Sequence, residues 1–196
     1  MMLIEVTAVA SGDLPVAEFR DHMRLGTGFA DIGAEDAALE AYLRAAIAAI
    51  EGRTGKALIA RDFVLEVEAW RRDPEQALPV APVSAVSEVR VLDRAGLATV
   101  IEPERYRLVR DMGRPRIEAD GMLPGISVGG RAEIAFTAGF GAWAAVPADL
   151  AQAVFMLAAS YYESRQDNGS EAAGMPFGVM ALIERWRTVR MLGGRG

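Results

Sequence analysis

The segment Leu39-Glu40-Ala41-Tyr42-Leu43-Arg44-Ala45-Ala46-Ile47-Ala48-Ala49-Ile50 closes through Thr54-Gly55-Lys56-Ala57-Leu58, and Phe63-Val64-Leu65-Glu66-Val67-Glu68-Ala69-Trp70 follows; its reading decides the fold. Leu39, Tyr42, Leu43, Ala46, Ile47 and Ile50 fall at i, i+3, i+4, i+7, i+8 and i+11, a single apolar stripe on a helix. That helix is expected over about 34–53, with Glu35 and Asp36 in its first turn, where the macrodipole favours acids. Gly55 suits the left-handed C-terminal position. Beyond Ala57 the period changes to two, and Phe63, Leu65, Val67 and Ala69 alternate with Val64, Glu66, Glu68 and Trp70 as a half-buried strand.

Upstream, residues 1–13 read as an extended lead. Leu14–Leu25 reads as a short helix with Pro15 in its first turn and Val16, Phe19 and Met23 on one face. Downstream, residues 71–87 carry Pro74, Pro79 and Pro82 and read as a stiff loop. Two hairpins are expected, around Asp93-Arg94-Ala95-Gly96 and around Asp111-Met112-Gly113-Arg114. Residues 119–130 read as a glycine-rich loop and Arg131–Thr137 as a strand. A helix opens at Pro147 with Leu150, Val154, Leu157, Ala158 and Tyr161 as its stripe. Residues 165–174 read as flexible, and Phe177–Arg187 as a last short helix. The order of the elements, helices then a β-meander then helices, predicts an α+β fold.

Composition removes whole classes of function. No cysteine is present and His22 is the one histidine, so thiolate zinc sites, cysteine nucleophiles and paired-histidine chemistry are excluded. A net charge of -6 argues against a general nucleic-acid binder. No apolar run reaches the ~20 residues of a membrane span, and no signal peptide is evident, which predicts a chain that is cytoplasmic when synthesised. Gly139-Phe140-Gly141 lies between a strand and a helix, where phosphate loops sit. It lacks both the third glycine of a dinucleotide fingerprint and the Gly-Lys-Ser/Thr ending of a phosphate loop. Glu66 and Glu68 share a strand face, and such pairs can bind metal or do acid–base work; a solvated face is their commoner role. No catalytic, cofactor or metal residue is expected.

The C-terminal stretch is basic and amphipathic. Arg185, Trp186, Arg187, Val189, Arg190, Met191 and Leu192 mix the residue types that dominate interface hot spots, which predicts a protein-binding segment loose from Trp186 to Leu192 in the free subunit.

The order of the blocks also carries a resemblance. Thr54-Gly55-Lys56-Ala57-Leu58-Ile59 and Phe136-Thr137-Ala138-Gly139-Phe140-Gly141 come first. Val146-Pro147-Ala148-Asp149-Leu150, Tyr161-Tyr162-Glu163-Ser164-Arg165 and Pro176-Phe177-Gly178-Val179 follow. Together they resemble the head-to-tail connector (adaptor) proteins of long-tailed phages and gene transfer agents, over about Leu14 to Val179. The resemblance implies a structural protein of the particle neck. It would be a homo-oligomeric ring, usually of twelve copies, mounted on the portal protein. The ring would extend the DNA channel without binding DNA specifically and would receive the next tail-joining (stopper) protein. It further implies a helical bundle with a β-meander insertion, residues 58–138, between the long second helix and the penultimate helix, in a single connector domain over 1–187, with 188–196 as a C-terminal tail docking on the portal. Another neck or tail-completion protein is the nearest alternative, and a small carboxylate-dependent enzyme a more distant one.

Overall fold

The computed structural model describes residues 1–24, 32–72, 74–164 and 174–187. The chain divides into two compact units. Residues 1–9 and 59–142 form a β unit, and residues 10–58 and 143–196 form a helical unit.

Four helices build the helical unit: α1 (Val16–His22), α2 (Ile32–Thr54), α3 (Ala148–Ser164) and α4 (Phe177–Ile183). The stripe read from the sequence is the core of this unit. Leu39, Leu43, Ala46, Ile47 and Ile50 of α2 are buried, as are Leu150, Ala153, Val154, Leu157 and Ala158 of α3. The two helices pack together, and α4 adds Val179 and Ile183 against α3. Aromatic contacts close the ends. Tyr42 meets Tyr162 edge-on at 5.9 Å, and Phe155 lies 5.8 Å from Phe19 and 5.4 Å from Trp143. We expect Ile47→Ala to cost about 2–5 kcal/mol in denaturant unfolding, because it removes three buried carbons where neighbours cannot fully collapse. A loss well under 1 kcal/mol would mean that the stripe does not hold the unit together.

The exit from α2 follows its sequence. Gly55 adopts φ 66° and its N–H donates to the Glu51 carbonyl at 2.8 Å. The Thr54 hydroxyl donates to the Ile50 carbonyl at 2.8 Å, and the Leu58 N–H donates to Glu51 Oε1 at 2.7 Å. Carbonyls and amides left over by the ending helix therefore find partners within the turn.

The β unit holds two antiparallel sheets. A five-stranded sheet runs in the order β1-β2-β8-β4-β5, with β1 Met2–Glu5, β2 Arg61–Val67, β4 Val83–Leu92, β5 Ala98–Val100 and β8 Arg131–Ala138. A three-stranded sheet runs β3-β7-β6, with β3 Glu75–Ala77, β6 Tyr106–Val109 and β7 Arg116–Ala119. Sequence neighbours pair as hairpins in β4–β5 and β6–β7, as expected, and β8 lies centrally between β2 and β4. Register places Phe63 opposite Phe136 and Leu65 opposite Ile134, all buried, and Val89 flanks Ile134 from the other side. The Phe63 and Phe136 rings stack at 5.7 Å.

Three expectations need correction. Residues 1–13 are more than a lead, because Met2–Glu5 is an edge strand of the five-stranded sheet. Residues 71–87 are not one loop: Glu75–Ala77 and the start of β4 lie inside the stretch, each next to a proline rather than containing one. A proline beside a strand removes no ladder donor from it. The last helix stops at Ile183, and Glu184–Trp186 form a single 3-10 turn. The expectations for Leu25, for the stretch 165–173 and for the tail 188–196 lie outside the described residues.

Candidate functional site

The glycine turn after β8 is a packing device. Gly139 has φ 132°, and a Cβ placed there would sit 2.4 Å from the Ala60 Cα and 2.5 Å from the Ala60 nitrogen. Its N–H donates to the Pro82 carbonyl at 2.9 Å, while the Ala60 N–H donates to the Gly141 carbonyl at 2.8 Å. The amides of this turn thus serve neighbouring backbone, the structural role that the missing fingerprint residues suggested.

Several carboxylates of the sheet are engaged in ion pairs. Glu66 of β2 stands opposite Glu133 of β8. Like charges in that position repel, and two arginines compensate them. Arg90 donates to Glu133 Oε2 at 2.8 and 2.6 Å, and Arg131 donates to Oε1 at 2.7 Å while lying 3.7 Å from Glu66. Burial pushes the Glu133 carboxyl up, but the hydrogen bonds from Arg90 and Arg131 outweigh it and hold the pKa below its ordinary value. Among the described residues no cluster of three or more acidic or histidine side chains is placed to hold a metal. Asp93 and Asp111 cap their own turns, accepting from the Ala95 and Leu97 amides and from the Gly113 and Arg114 amides. His22 ends α1 with its ring 5.5 Å from that of Phe155.

The C-terminal segment is where sequence and structure differ in an informative way. Asp149 sits in the first turn of α3, and its Oδ1 accepts from the Leu150 N–H at 3.0 Å. Its Oδ2 accepts from the Trp186 indole N–H at 2.7 Å and from the Arg185 Nε at 2.7 Å. The Arg185 guanidinium also lies over the Trp186 ring, 4.8 Å from its centroid. Trp186 is therefore fastened to the helical unit, and the segment is not loose at that point. Arg187 reaches Glu184 at 2.9 Å and is exposed. Val189, Arg190, Met191 and Leu192 lie outside the described residues. Nothing in the local pattern foretold the Asp149 contact, since it joins positions 37 residues apart.

Burial pushes the Asp149 carboxyl up, but the Trp186, Arg185 and Leu150 donors outweigh it and hold the pKa below the ordinary 3.8. A depressed carboxylate pKa adds stability that is present above the unfolded value and is lost as pH falls through the folded one. The Trp186 attachment should therefore hold at neutral pH and weaken below pH ~4. Asp149→Ala should cost about 1–3 kcal/mol, mostly from the indole bond, because the Arg185 partner is largely in water. Thermal melts of Asp149→Ala against the native chain from pH 7 to pH 3 read this directly. The gap should close in acid; a gap independent of pH would show that the carboxylate charge is irrelevant.

Comparison with known proteins supplies the context for this segment. No family model matches the chain, and no curated protein does. Solved structures do. A chain in the neck of an empty GTA particle computed with C6 symmetry is 67% identical, with TM-score 0.90 and 100% of both chains covered. A chain in the virion of a native gene transfer agent (GTA) particle is 68% identical, with TM-score 0.87 and again 100% of both chains covered. A chain in the neck of a native GTA particle computed with C12 symmetry is 61% identical, with TM-score 0.86 and the same full coverage. Identity at this level across the whole length, on the same α+β architecture, shows that the chain belongs to the head-to-tail connector (neck) proteins of gene transfer agents.

Proposed function

We propose that this chain is a structural subunit of a particle neck, working as one copy of a twelve-membered ring seated on the portal protein. The observation that carries the reading is the full-length identity of 61% to a chain in a neck of C12 symmetry. Residues 1–187 act as one connector domain, a helical bundle with a β insertion over 58–138 that the edge strand Met2–Glu5 joins. The ring extends the DNA channel and offers its far side to the next tail-joining (stopper) protein. The net charge of -6 suits a channel through which DNA slides, because a tight phosphate grip needs many cations.

Portal docking falls to the C-terminal segment. Arg185 and Trp186 are anchored on Asp149. Arg187 follows, and Val189, Arg190, Met191 and Leu192 supply further cationic and apolar groups beyond it. Guanidinium groups paired with portal carboxylates, together with buried Met191 and Leu192, would give orientation and affinity.

The test is genetic and direct. Particles assembled without this chain should accumulate as filled heads without tails, and resupplying the chain should restore tailed particles. Normal tailing in its absence would overturn the reading.

A further inference from the structure

Arg185 is the exposed member of the Asp149 cluster, and its donors are only partly used. Its Nε lies 2.7 Å from Asp149 Oδ2, and its guanidinium plane lies over the Trp186 ring, 4.8 Å from the centroid. The side chain is nevertheless 70% exposed. A guanidinium carries five N–H donors in a planar fork. With Nε on Asp149, the edge formed by the two Nη groups is left for a second anion. The neighbouring acid does not take it, because Glu184 pairs with Arg187 at 2.9 Å.

Packing holds this cluster in place. α4 puts Val179 and Ile183 into the core. It lies so close to α3 that a Cβ at Gly178 would come 2.8 Å from the Met156 Cε. The 3-10 turn Glu184–Trp186 follows at once, and the Trp186 indole N–H reaches back to Asp149 at 2.7 Å. The Arg185 backbone is thus held on both sides, and stacking with the Nε contact orders its side chain. A long side chain ordered before binding avoids the entropy loss that a free one suffers.

We infer that Asp149 and Trp186 are positioning residues that present Arg185 as a preorganised cation, whose Nη edge takes a carboxylate of the protein on which the ring docks. Charge decides the class of anion. Asp149 and Glu184 stand beside Arg185 and Arg187, two acids against two bases, so the local sum is zero. A polyanion such as DNA binds through a net positive surface, which these four residues do not make. A single carboxylate needs only two parallel donors in one plane, and arginine supplies them. Arg185 also opens the basic stretch that continues through Arg187 and Arg190, which places the carboxylate on the docking partner.

This inference rests on the docking proposed above, and its test separates the two. Tailless heads are incubated with the native chain, with Arg185→Lys, with Asp149→Asn and with the double variant, and bound chain is measured against concentration. Arg185→Lys keeps the charge but loses the fork. Asp149→Asn keeps one acceptor oxygen but loses the charge that holds Arg185. Each should weaken binding about tenfold or more, and the double variant should bind no more weakly than the weaker single, because both remove one bridge. Arg185→Lys should melt with the native chain. Arg72→Lys, an exposed arginine of the β unit, should bind heads like the native chain. The one native lysine, Lys56, is buried. In heads saturated with Arg185→Lys, a carbodiimide should therefore couple the new amine to a portal peptide.

Native-like binding by Arg185→Lys would overturn the inference and leave docking standing. Additive losses in the double variant would overturn it too, since Asp149 would then act apart from Arg185. So would coupling to a second copy of this chain, or binding that needs DNA-filled rather than empty heads. Failure of the native chain to bind heads would remove both claims. Should Asp149→Asn lower the melting temperature, Arg185→Lys decides alone.

Discussion

A chain ending at Arg187 will melt within about 2 °C of the full-length subunit, and filled heads supplied with it will fail to acquire tails. The expectation of an intact fold rests on where the core lies. Among the described residues, the buried ones of the helical unit run from Leu14 to Ile183. Trp186 is then held by its bond to Asp149. After Arg187 the sequence offers Val189, Met191 and Leu192 among glycines and arginines, too few apolar positions for a core of its own. The expected loss of tailing rests on the same composition, since arginine beside large apolar groups is what a docking segment needs. Thermal melts and tailed-particle yields for both chain lengths decide the matter. A drop of 10 °C or more would make 188–196 part of the domain core (roughly 3 kcal/mol at this size). Normal tailing by the truncated chain would remove the docking role.

The second large effect lies at Gly139. Gly139→Ala should destabilise the β unit by about 3 kcal/mol or more, because the new methyl would overlap the Ala60 backbone at a φ that side chains rarely adopt. Backbone on both sides is committed to hydrogen bonds, Gly139 to Pro82 and Ala60 to Gly141, so neither strand end can retreat without losing one. Gly96 is the internal control. It also has positive φ, at 83°, but a Cβ there meets nothing within 4 Å. Gly96→Ala should cost only the left-handed backbone penalty, about 1 kcal/mol. Equal losses at the two positions would show that conformation rather than the close approach sets the cost at Gly139.

These two sites also show how far the sequence can be read. The long helix and the switch to strand after Leu58 were legible because period and burial coincide. The stripe from Leu39 to Ile50 is buried, and Phe63, Leu65 and Val67 face the sheet's apolar side. The hairpins were legible because Asp93 and Asp111 announce their turns and do bond to the following amides. The strand Met2–Glu5 was not legible. It is short and carries apolar residues on both faces, so it lacks the alternation that marks a half-buried strand, and its partner lies some sixty residues away in β2. The central position of β8 was hidden for the same reason, since pairing across long loops leaves no local trace.

The functional segment divides in the same way. Composition picked out Arg185 to Leu192 as an interaction segment, because arginine and tryptophan in a short stretch after the last helix have no evident core to serve. It did not reveal that Asp149 takes Trp186 and Arg185. Asp149 reads from sequence as an ordinary acid in the first turn of a helix, stabilised by the dipole alone. The structure gives it a second duty, as the anchor of Arg185 and Trp186.

The central claim is that this chain forms the ring between portal and tail. Electron cryo-microscopy of the particle neck, averaged without imposed symmetry and fitted with this chain, tests it most directly. The account predicts twelve copies in one closed ring around the DNA channel, with residues after Arg187 running onto the portal. Density for this chain elsewhere in the particle, or a neck ring built without it, would contradict the account.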